Sequence, residues 1–429
     1  MRRNLPLRFE FIPYPIWRRK MPALVKMVAK PIMRRYYPLD HDLTSPPDPS
    51  TMADVMLRYK LLPQMTLREI HEALLLSEAH IESTRSDIKP DLLSSPDTAV
   101  RIPAQWEPME SIIINWSVMY PPLWDLHSEM AEAIAPVAQV TVTVPNEMWA
   151  HAIWVYLMQR GKIGDNHRKI TFLIIPTDDI WVRDYGPIIG LSNQGEQIAF
   201  NAVYDHLPQY PQTRDNAMPW YWASHVEIPI YPLDLHTEGG NLWSDGVGTL
   251  IMSEQIFHAN PKYNRRALEA YLHSVFQYEK LIITPKLPIE STGHVDLLAK
   301  LADEETVLVS APTSESAAVQ LKAAGDLFRR ETNAAGTRYH VRELPTPPLY
   351  LNWVGYPIRR SYTNALTVNG RVLLPIYSLK TDETAIRTYE EAMPNHTIIP
   401  IDCTRGVNGG GAVHCMTKEV PKAAPLKAV

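Results

Sequence analysis

The chain has 429 residues, of which 45% are hydrophobic and 21% are charged. This composition is sufficient for a large apolar core and excludes an intrinsically disordered protein. The two cysteines, Cys403 and Cys415, are too few for a disulfide framework or a four-thiolate zinc site. We therefore expect a reducing compartment and a thiol that is free to react.

The formal net charge of −5 is unevenly distributed along the chain. Residues 1–35 form a basic arm, with ten Lys or Arg residues against the single acidic residue Glu10. These charges interrupt its apolar stretches, so the arm predicts neither a membrane-spanning segment nor a signal peptide. We expect a cytoplasmic protein, either free or peripheral at a membrane surface. The arm is interpreted as a binding segment for an anionic membrane surface, nucleic acid or a protein partner, or as a solvated tail.

Residues 1–100 are predicted to form a basic, partly helical N-terminal extension. Prolines break the arm, and "SPPDPS" at 45–50 is typical of a turn-rich connector. Thr66 together with Glu69 predicts a capping box at the start of a helix. The segment "KPDLLSSPD" at 89–97 is expected to be the last linker before the main domain.

Residues 101–420 are predicted to form one α/β domain, followed by a C-terminal tail at 421–429. Short β-branched runs alternate there with amphipathic helical patterns. The predicted strands are "SIIINW" at 111, "VTVTVP" at 140, "ITFLIIP" at 170, "LIITP" at 281, "TVLVSAP" at 306, "RVLLPIY" at 371 and "TIIPID" at 397.

Several segments of this domain carry residues suited to guanidinium chemistry. A guanidinium group is planar, cationic and a poor electrophile. Its hydrolysis needs carboxylates to hold it, a thiolate to attack it and a proton donor for the leaving ammonia. In "GHVD" at 293–296, His294 and Asp296 are two positions apart, which on a strand would direct both side chains to one face. A solvated pair at a strand edge is the alternative.

Two further segments offer carboxylates beside turns. In "WVRDYGP" at 181–187, Trp181 and Asp184 precede a Gly-Pro turn, where an aromatic wall and a carboxylate could face one cation. Asp184 could instead cap the turn or pair with Arg183. In "HTEGGN" at 236–241, Glu238 precedes two glycines, and its alternative is an acidic turn residue.

The candidate nucleophile is Cys415, which follows the glycines at 409–411 in "NGGGAVHCMT". Backbone N–H groups and a nearby imidazolium are expected to lower the pKa of such a thiol. An inert buried side chain is the alternative, and Cys403 in "PIDCT" fits that description better.

Taken in this order, the segments resemble the agmatine deiminase and Porphyromonas-type peptidylarginine deiminase family of the guanidine-modifying pentein superfamily. The resemblance covers roughly residues 101–420. It rests on "WEPMESIIINW" at 106, "DDIWVRDYGP" at 178, "FNA" at 200, "EGGNLWSDGVGTL" at 238, "STGHVDLLAK" at 291, "YTNALTVNGRVLLP" at 362 and "NGGGAVHCMTKEVP" at 408.

The resemblance implies a five-bladed α/β propeller of ββαβ repeats and a cysteine-dependent hydrolase that deiminates a guanidinium group. Cys415 would form a covalent thiouronium intermediate, and His294 would act as general acid and then as general base. The remaining roles implied are two carboxylates on the guanidinium (Asp184, Asp296), an acid that steadies the imidazole (Glu238), a substrate contact (Asn364) and a channel wall (Trp181). No metal or organic cofactor is implied.

The substrate beyond the guanidinium stays open between agmatine, peptidyl-arginine and free arginine, because the motifs mix features of both branches. The arginine pair that grips a C-terminal carboxylate in the peptidylarginine branch would fall on His206 and Pro208, so that clamp is absent or moved to Arg214. An amidinotransferase with the same cysteine intermediate and a catalytically silent pentein-fold binding protein are the alternative functions. The sequence is compatible with an oligomer.

Overall fold

The computed structural model describes residues 45–83, 96–97, 100–118, 120–204, 212–290, 292–313, 317–352 and 357–423. The basic arm, most of the predicted linker at 89–97, and the positions of His206 and Pro208 lie outside the described residues, as do residues 424–429.

The elements follow one another as an alternation of strands and helices. The helices are Pro49–Arg58 (α1), Leu67–Leu75 (α2), Trp124–Ile134 (α3), Glu147–Arg160 (α4), Val182–Tyr185 (α5), Thr213–His225 (α6), Gln255–Ala259 (α7), Arg265–Val275 (α8), Ala318–Arg330 (α9) and Asp382–Ala392 (α10). The strands are Ile81–Ser83 (β1), Val100–Arg101 (β2), Met109–Asn115 (β3), Gln139–Val144 (β4), Ile170–Ile174 (β5), Ile188–Ser192 (β6), Gln197–Val203 (β7), Ile230–His236 (β8), Trp243–Ser244 (β9), Thr249–Ser253 (β10), Lys280–Thr284 (β11), Ala299–Leu301 (β12), Thr306–Ser310 (β13), His340–Leu344 (β14), Tyr350–Leu351 (β15), Pro357–Ile358 (β16), Leu366–Val368 (β17), Arg371–Ile376 (β18), Thr397–Asp402 (β19) and Thr417–Pro421 (β20). The α/β class is confirmed, and all seven predicted strands are present.

The described part of the N-terminal segment is built into the main apolar core. Asp48 caps α1 by accepting bonds from the backbone N–H groups of Ser50 and Thr51. Thr66 and Glu69 form the capping box of α2. Strand β1 pairs in parallel with β5 at the sheet edge. The buried side chains of the two helices join the largest core cluster, and they are Met52, Ala53, Val55, Met56, Ile70 and Leu74.

Five sheets share one order of elements, in which two antiparallel strands are followed by helix and by a strand parallel to the second. The sets are β6, β7 and β8; β9, β10 and β11; β12, β13 and β14; β17, β18 and β19; and β20, β3 and β4, with β5 and β1 added beyond β4. The last set joins the C-terminal strand to the first long strand of the domain. Strand β2 pairs with β6, and β15 pairs with β16.

This order brings the chain back to one edge of each sheet. Because the first strand of a set is antiparallel to the other two, it starts at the edge where the last strand ends. Five linking segments run from the last strand of one sheet to the first strand of the next, at residues 175–187, 237–242, 285–298, 345–365 and 403–416. Every predicted site residue lies in one of these linking segments. No helix of the described residues is long and apolar enough to cross a membrane.

Candidate active site

The linking segment at 175–187 is anchored to the strand that follows the candidate nucleophile. The Arg183 guanidinium forms a two-point ion pair with Glu419 of β20, with one N–O distance of 2.9 Å. Its Nε also donates to the carbonyl of His414 at 3.2 Å, and its backbone N–H donates to the carbonyl of Cys415 at 3.1 Å. Arg183 therefore links the two segments. Its ion-pair partner is Glu419 and not Asp184, which lies beside His294.

His294 lies between two carboxylates. Its Nδ1 is 3.6 Å from Oδ1 of Asp184, and its Nε2 is 3.3 Å from Oε2 of Glu238. All three side chains are buried. A Cβ atom at Gly240 would lie 2.5 Å from Nδ1 of His294, so only glycine lets the backbone pass this close to the imidazole.

The segment "GHVD" does not form the strand that was considered for it. His294 precedes a short 3₁₀ turn at Val295–Leu297, and Asp296 lies inside that turn. The strand that follows, β12, begins only after this turn, at Ala299. The two side chains still reach one site, but through a turn, and they contact different partners.

The carboxylates control the protonation of His294. Burial lowers the pKa of the imidazole, but the negative charges of Asp184, Glu238 and Asp296 outweigh burial and raise it to about 10. His294 is therefore an imidazolium at neutral pH and a donor of protons.

Asp296 and Asn364 surround the thiol of Cys415. Asn364 donates from Nδ2 to Oδ2 of Asp296 at 3.0 Å and contacts Sγ of Cys415 at 3.2 Å. The Cys415 Sγ is itself 3.9 Å from Oδ2 of Asp296. The other carboxylate oxygen, Oδ1, is buried and has no hydrogen-bond partner within the described part of the chain. Burial raises the pKa of Asp296 to about 7.

The expected low pKa of the Cys415 thiol is wrong for the site as it stands. Burial, followed by the charges of Asp296 and Asp184, raises the pKa of Cys415 well above its usual range, although Asn364 acts in the opposite direction. The glycine-rich loop alone does not offset two neighbouring carboxylates. Cys403 is fully buried in the apolar core, as predicted, and burial raises its pKa too.

Trp181 and Cys415 meet across Gly411. A Cβ atom at Gly411 would lie 2.6 Å from the Trp181 ring and 3.0 Å from Sγ of Cys415. Glycine is therefore required where the loop passes between the aromatic ring and the thiol. All seven predicted site residues come together: Trp181, Asp184, Glu238, His294, Asp296, Asn364 and Cys415. Arg214 is exposed in the first turn of α6.

Three buried polar residues at the site were not singled out from the sequence. Nδ1 of His414 is 2.7 Å from Oδ2 of Asp296, and the same ring contacts Gln105, which in turn binds Lys300. Their signal was weak: His414 adjoins the candidate nucleophile, but Gln105 and Lys300 are ordinary polar residues in the chain. No group of three or more His, Cys, Asp or Glu side chains suited to a metal ion occurs in the ranges described above.

The chain is similar to known proteins over most of its length. The family of Porphyromonas-type peptidyl-arginine deiminases matches residues 101–421. A relative from Marinomonas sp. named a putative agmatine deiminase is 28% identical over 370 residues, covering 77% of this chain and 96% of the relative. The solved agmatine deiminase of Enterococcus faecalis has a TM-score of 0.68 at 22% identity and covers 79% of this chain and 100% of its own. That of C. jejuni has a TM-score of 0.62 at 21% identity, with 77% and 96% covered.

Proposed function

Because the chain belongs to the Porphyromonas-type peptidyl-arginine deiminase family, we propose that it deiminates the guanidinium group of an arginine-derived substrate, releasing ammonia and a ureido product. The family resemblance predicted from the sequence is thereby confirmed. The chain is a hydrolase of carbon–nitrogen bonds in amidines, a deiminase.

The observation that carries the proposal is a buried carboxylate site that calls for a cation. Asp184, Glu238 and Asp296 lie around a single imidazolium, and Oδ1 of Asp296 has no hydrogen-bond partner among the described residues. A buried carboxylate oxygen without a partner is costly, and a planar cation with several N–H donors satisfies it. A guanidinium fits this description.

Entry of the cation would also activate the nucleophile. The two carboxylates that raise the pKa of Cys415 would be neutralised by the guanidinium, and its positive charge beside Sγ would lower the pKa of the thiol. Binding and ionisation are coupled in this proposal, so the thiolate forms where a substrate is present.

The chemical steps then use Cys415 and His294 in turn. The thiolate adds to the central guanidinium carbon, and the His294 imidazolium donates a proton to one nitrogen, which leaves as ammonia. The thiouronium that results stays bonded to Sγ. Neutral His294 next takes a proton from water, and the hydroxide adds to the same carbon. The C–S bond then breaks with its electron pair on sulfur while the added hydroxyl loses its proton to solvent, which gives the ureido product and the thiolate.

The neighbouring residues have supporting roles in this proposal. Asp184 and Asp296 hold and orient the guanidinium, and such orientation can lower a barrier by several kcal/mol, of the order known for electrostatic stabilisation. Glu238 keeps His294 charged and in place. Asn364 contacts both Asp296 and the thiol, and Trp181 forms a wall of the substrate channel.

We also propose that the five sheets stand as five blades around this site. Support comes from the repeated ββαβ order and from the linking segments, because all five of them supply residues to one site. The boundary between an extension at 1–100 and the deiminase domain at 101–420 stays a proposal. For the basic arm we propose a role in location, by attraction to an anionic membrane surface, which rests on its charge.

An ammonia-release screen tests the function. The panel is agmatine, free arginine, and peptides with an internal or a C-terminal arginine, with Cys415→Ala protein as the matched control. We expect release from at least one of them and a ureido product with water as the only acceptor, which separates deimination from amidino transfer. Absence of release from all four, by a folded protein, would refute the proposed function.

A further inference from the structure

Four buried side chains form a continuous chain of hydrogen bonds that ends on Asp296. Lys300 Nζ donates to Oε1 of Gln105 at 2.9 Å, and Nε2 of Gln105 is 2.8 Å from Nε2 of His414. Nδ1 of His414 is 2.7 Å from Oδ2 of Asp296. All four residues are at least 95% buried, so water does not compete for these bonds.

The donor and acceptor in each of these hydrogen bonds are determined by the groups between Lys300 and Asp296. The Lys300 amine faces the amide oxygen of Gln105, and the backbone N–H of Thr367 donates to the same oxygen at 3.2 Å. The amide NH₂ of Gln105 must then face His414, which makes Nε2 of the imidazole an acceptor. A neutral imidazole with Nε2 as acceptor carries its proton on Nδ1 and donates it to Asp296.

The His414 imidazole is also held in place by stacking on an aromatic ring. Its ring stacks on Trp243 with centroids 4.8 Å apart and planes inclined by 23°. Lys300 Nζ lies 4.7 Å from the centroid of the same indole. Burial and the nearby cationic groups Arg183, Lys300 and Lys418 keep the pKa of His414 well below its usual range, so the ring is neutral at neutral pH.

We propose that His414 is a positioning residue: through a tautomer set by Gln105, it anchors Oδ2 of Asp296 and so leaves Oδ1 for the guanidinium. This inference rests on the proposed function and adds a residue to it. Asn364 also donates to Oδ2, but the same NH₂ group contacts the thiol. His414 is thus the donor on Asp296 whose ring nitrogens are engaged away from the reacting sulfur.

The decisive variants keep or remove one N–H group. In His414→Asn, Nδ2 takes the place of Nδ1 and retains the donor, whereas His414→Leu removes it at similar volume. We expect His414→Leu to lower kcat/KM by about tenfold or more, chiefly through KM, since a buried carboxylate loses a donor. The acidic limb of its pH profile should move to higher pH by about one unit, because that donor favours the ionised carboxylate.

His414→Asn should recover kcat/KM to within about threefold of wild type and restore the acidic limb. The matched control is Tyr389→Phe. It removes a different buried hydrogen bond, from Tyr389 to the carbonyl of Tyr362 at 2.7 Å, that does not belong to the series from Lys300 to Asp296. It should lower the melting temperature and leave the pH profile unchanged. An unmoved acidic limb in His414→Leu, with activity following only the folded fraction, overturns the positioning role.

A second measurement does not depend on turnover. In ¹⁵N-histidine-labelled protein, we expect His414 to carry its proton on Nδ1 from about pH 6 to pH 9. Gln105→Glu cannot donate to Nε2, so this variant should protonate that nitrogen. Finding the proton of wild-type His414 on Nε2 overturns the proposal.

Ligand binding separates failure of this inference from failure of the proposed function. Titration calorimetry of agmatine and arginine is done with Cys415→Ala protein, alone and combined with His414→Leu. Weaker binding by about tenfold in the double variant supports the positioning role even if the wild type releases no ammonia. Equal binding by the two proteins, or no binding by either, overturns it.

Discussion

The two cysteines of this chain lie at opposite ends of one linking segment and have buried thiols in different surroundings. Burial comes first among the causes that raise the pKa of each thiol. Cys403 belongs to the apolar core, and its backbone N–H donates to the carbonyl of Ile376 at 2.9 Å. Cys415 instead has the amide of Asn364 at 3.2 Å and the carboxylate of Asp296 at 3.9 Å.

The comparison teaches that burial by itself does not decide whether a thiol can react. Both thiols are held protonated, but different carboxylates act on them: Asp184 and Asp296 of the candidate site act on Cys415, whereas Asp402 and Glu129 act on Cys403. Asp184 and Asp296 disfavour a thiolate at Cys415, yet these carboxylates would also bind a cation that favours one. We therefore expect the reactivity of Cys415 to depend on what its surroundings can bind.

The largest effect is expected from substituting each cysteine separately. Cys415→Ala should lower turnover by about 10⁴-fold or more, because no covalent intermediate can form. Cys403→Ala should keep most of the activity and lose roughly 1 kcal/mol of stability to a small core cavity. Turnover in the ammonia assay and thermal unfolding of both variants check this. If only the Cys403 variant loses activity, the assignment of Cys415 as the nucleophile is wrong.

The next largest effect tests the carboxylates that distinguish the two thiols. Asp184→Asn and Asp296→Asn should each lower kcat/KM by at least about 100-fold, or about 2.7 kcal/mol of transition-state stabilisation. Each change removes a buried negative charge from a site proposed to hold a cation. Asp382→Asn, at a buried carboxylate that binds Tyr362 and the backbone at 377 and 379, is the matched control. Losses below tenfold at both site positions would remove the carboxylate clamp from the mechanism.

The sequence predicted the residues of this site better than their geometry. The motifs around Asp184, Glu238 and Cys415 identify residue types that a guanidinium requires, and short runs of β-branched residues identify the strands. The turn at Asp296 was missed because a four-residue segment is too short for its pattern to separate a strand from a 3₁₀ turn. The raised pKa of Cys415 could not be predicted, since it arises first from burial and then from the charges of Asp296 and Asp184, which are more than a hundred positions away.

Buried long-range pairs were the hardest to predict. Lys300 and Gln105 are 195 positions apart and meet only after the sheets have formed. Nothing in their local sequence distinguishes a buried Lys from an exposed one. The five-bladed arrangement stays a prediction, because the order of strands within each sheet does not define how the five sheets are placed around an axis.

An intermediate effect is expected in the pH profile of kcat/KM. Asp296, with a pKa of about 7, must be ionised to bind a cation, so kcat/KM should fall as pH decreases through 7. His294, with a pKa of about 10, must be protonated, so kcat/KM should fall as pH rises through 10. Glu238→Gln removes a charge that raises the pKa of His294, and its alkaline limb should move to lower pH by about one unit. An alkaline limb that stays in place would separate Glu238 from the imidazole.

A smaller effect sharpens the difference between the thiols directly. Alkylation of Cys415 by iodoacetamide should be slow when no guanidinium ion is added, because the thiol is protonated and buried. A small guanidinium ion such as methylguanidine, which leaves space beside Sγ, should speed it by several-fold by lowering the pKa of the thiol. Peptide mass mapping distinguishes the two cysteines, and Cys403 is the internal control. Equal acceleration at both would mean that the ion loosens the protein.

The smallest effect on chemistry is expected from removing residues 1–44. No proposed site residue precedes Gln105. The alkylation rates of both thiols and the turnover of a small guanidine should therefore stay within about twofold of wild type, since distant independent sites contribute additively. Removal of residues 1–99 is the matched comparison, because it also deletes α1, α2 and β1. That larger deletion takes Met52, Met56 and Ile70 out of the main core, and a lower melting temperature should follow from the apolar surface it exposes.

If the arm serves location, full-length protein should bind anionic vesicles at low salt, lose that binding as ionic strength rises, and lose it entirely without residues 1–44. Vesicle binding that persists without the arm would assign the membrane contact to the folded domain. A loss of small-substrate turnover in the shorter deletion would instead make the arm part of the active site.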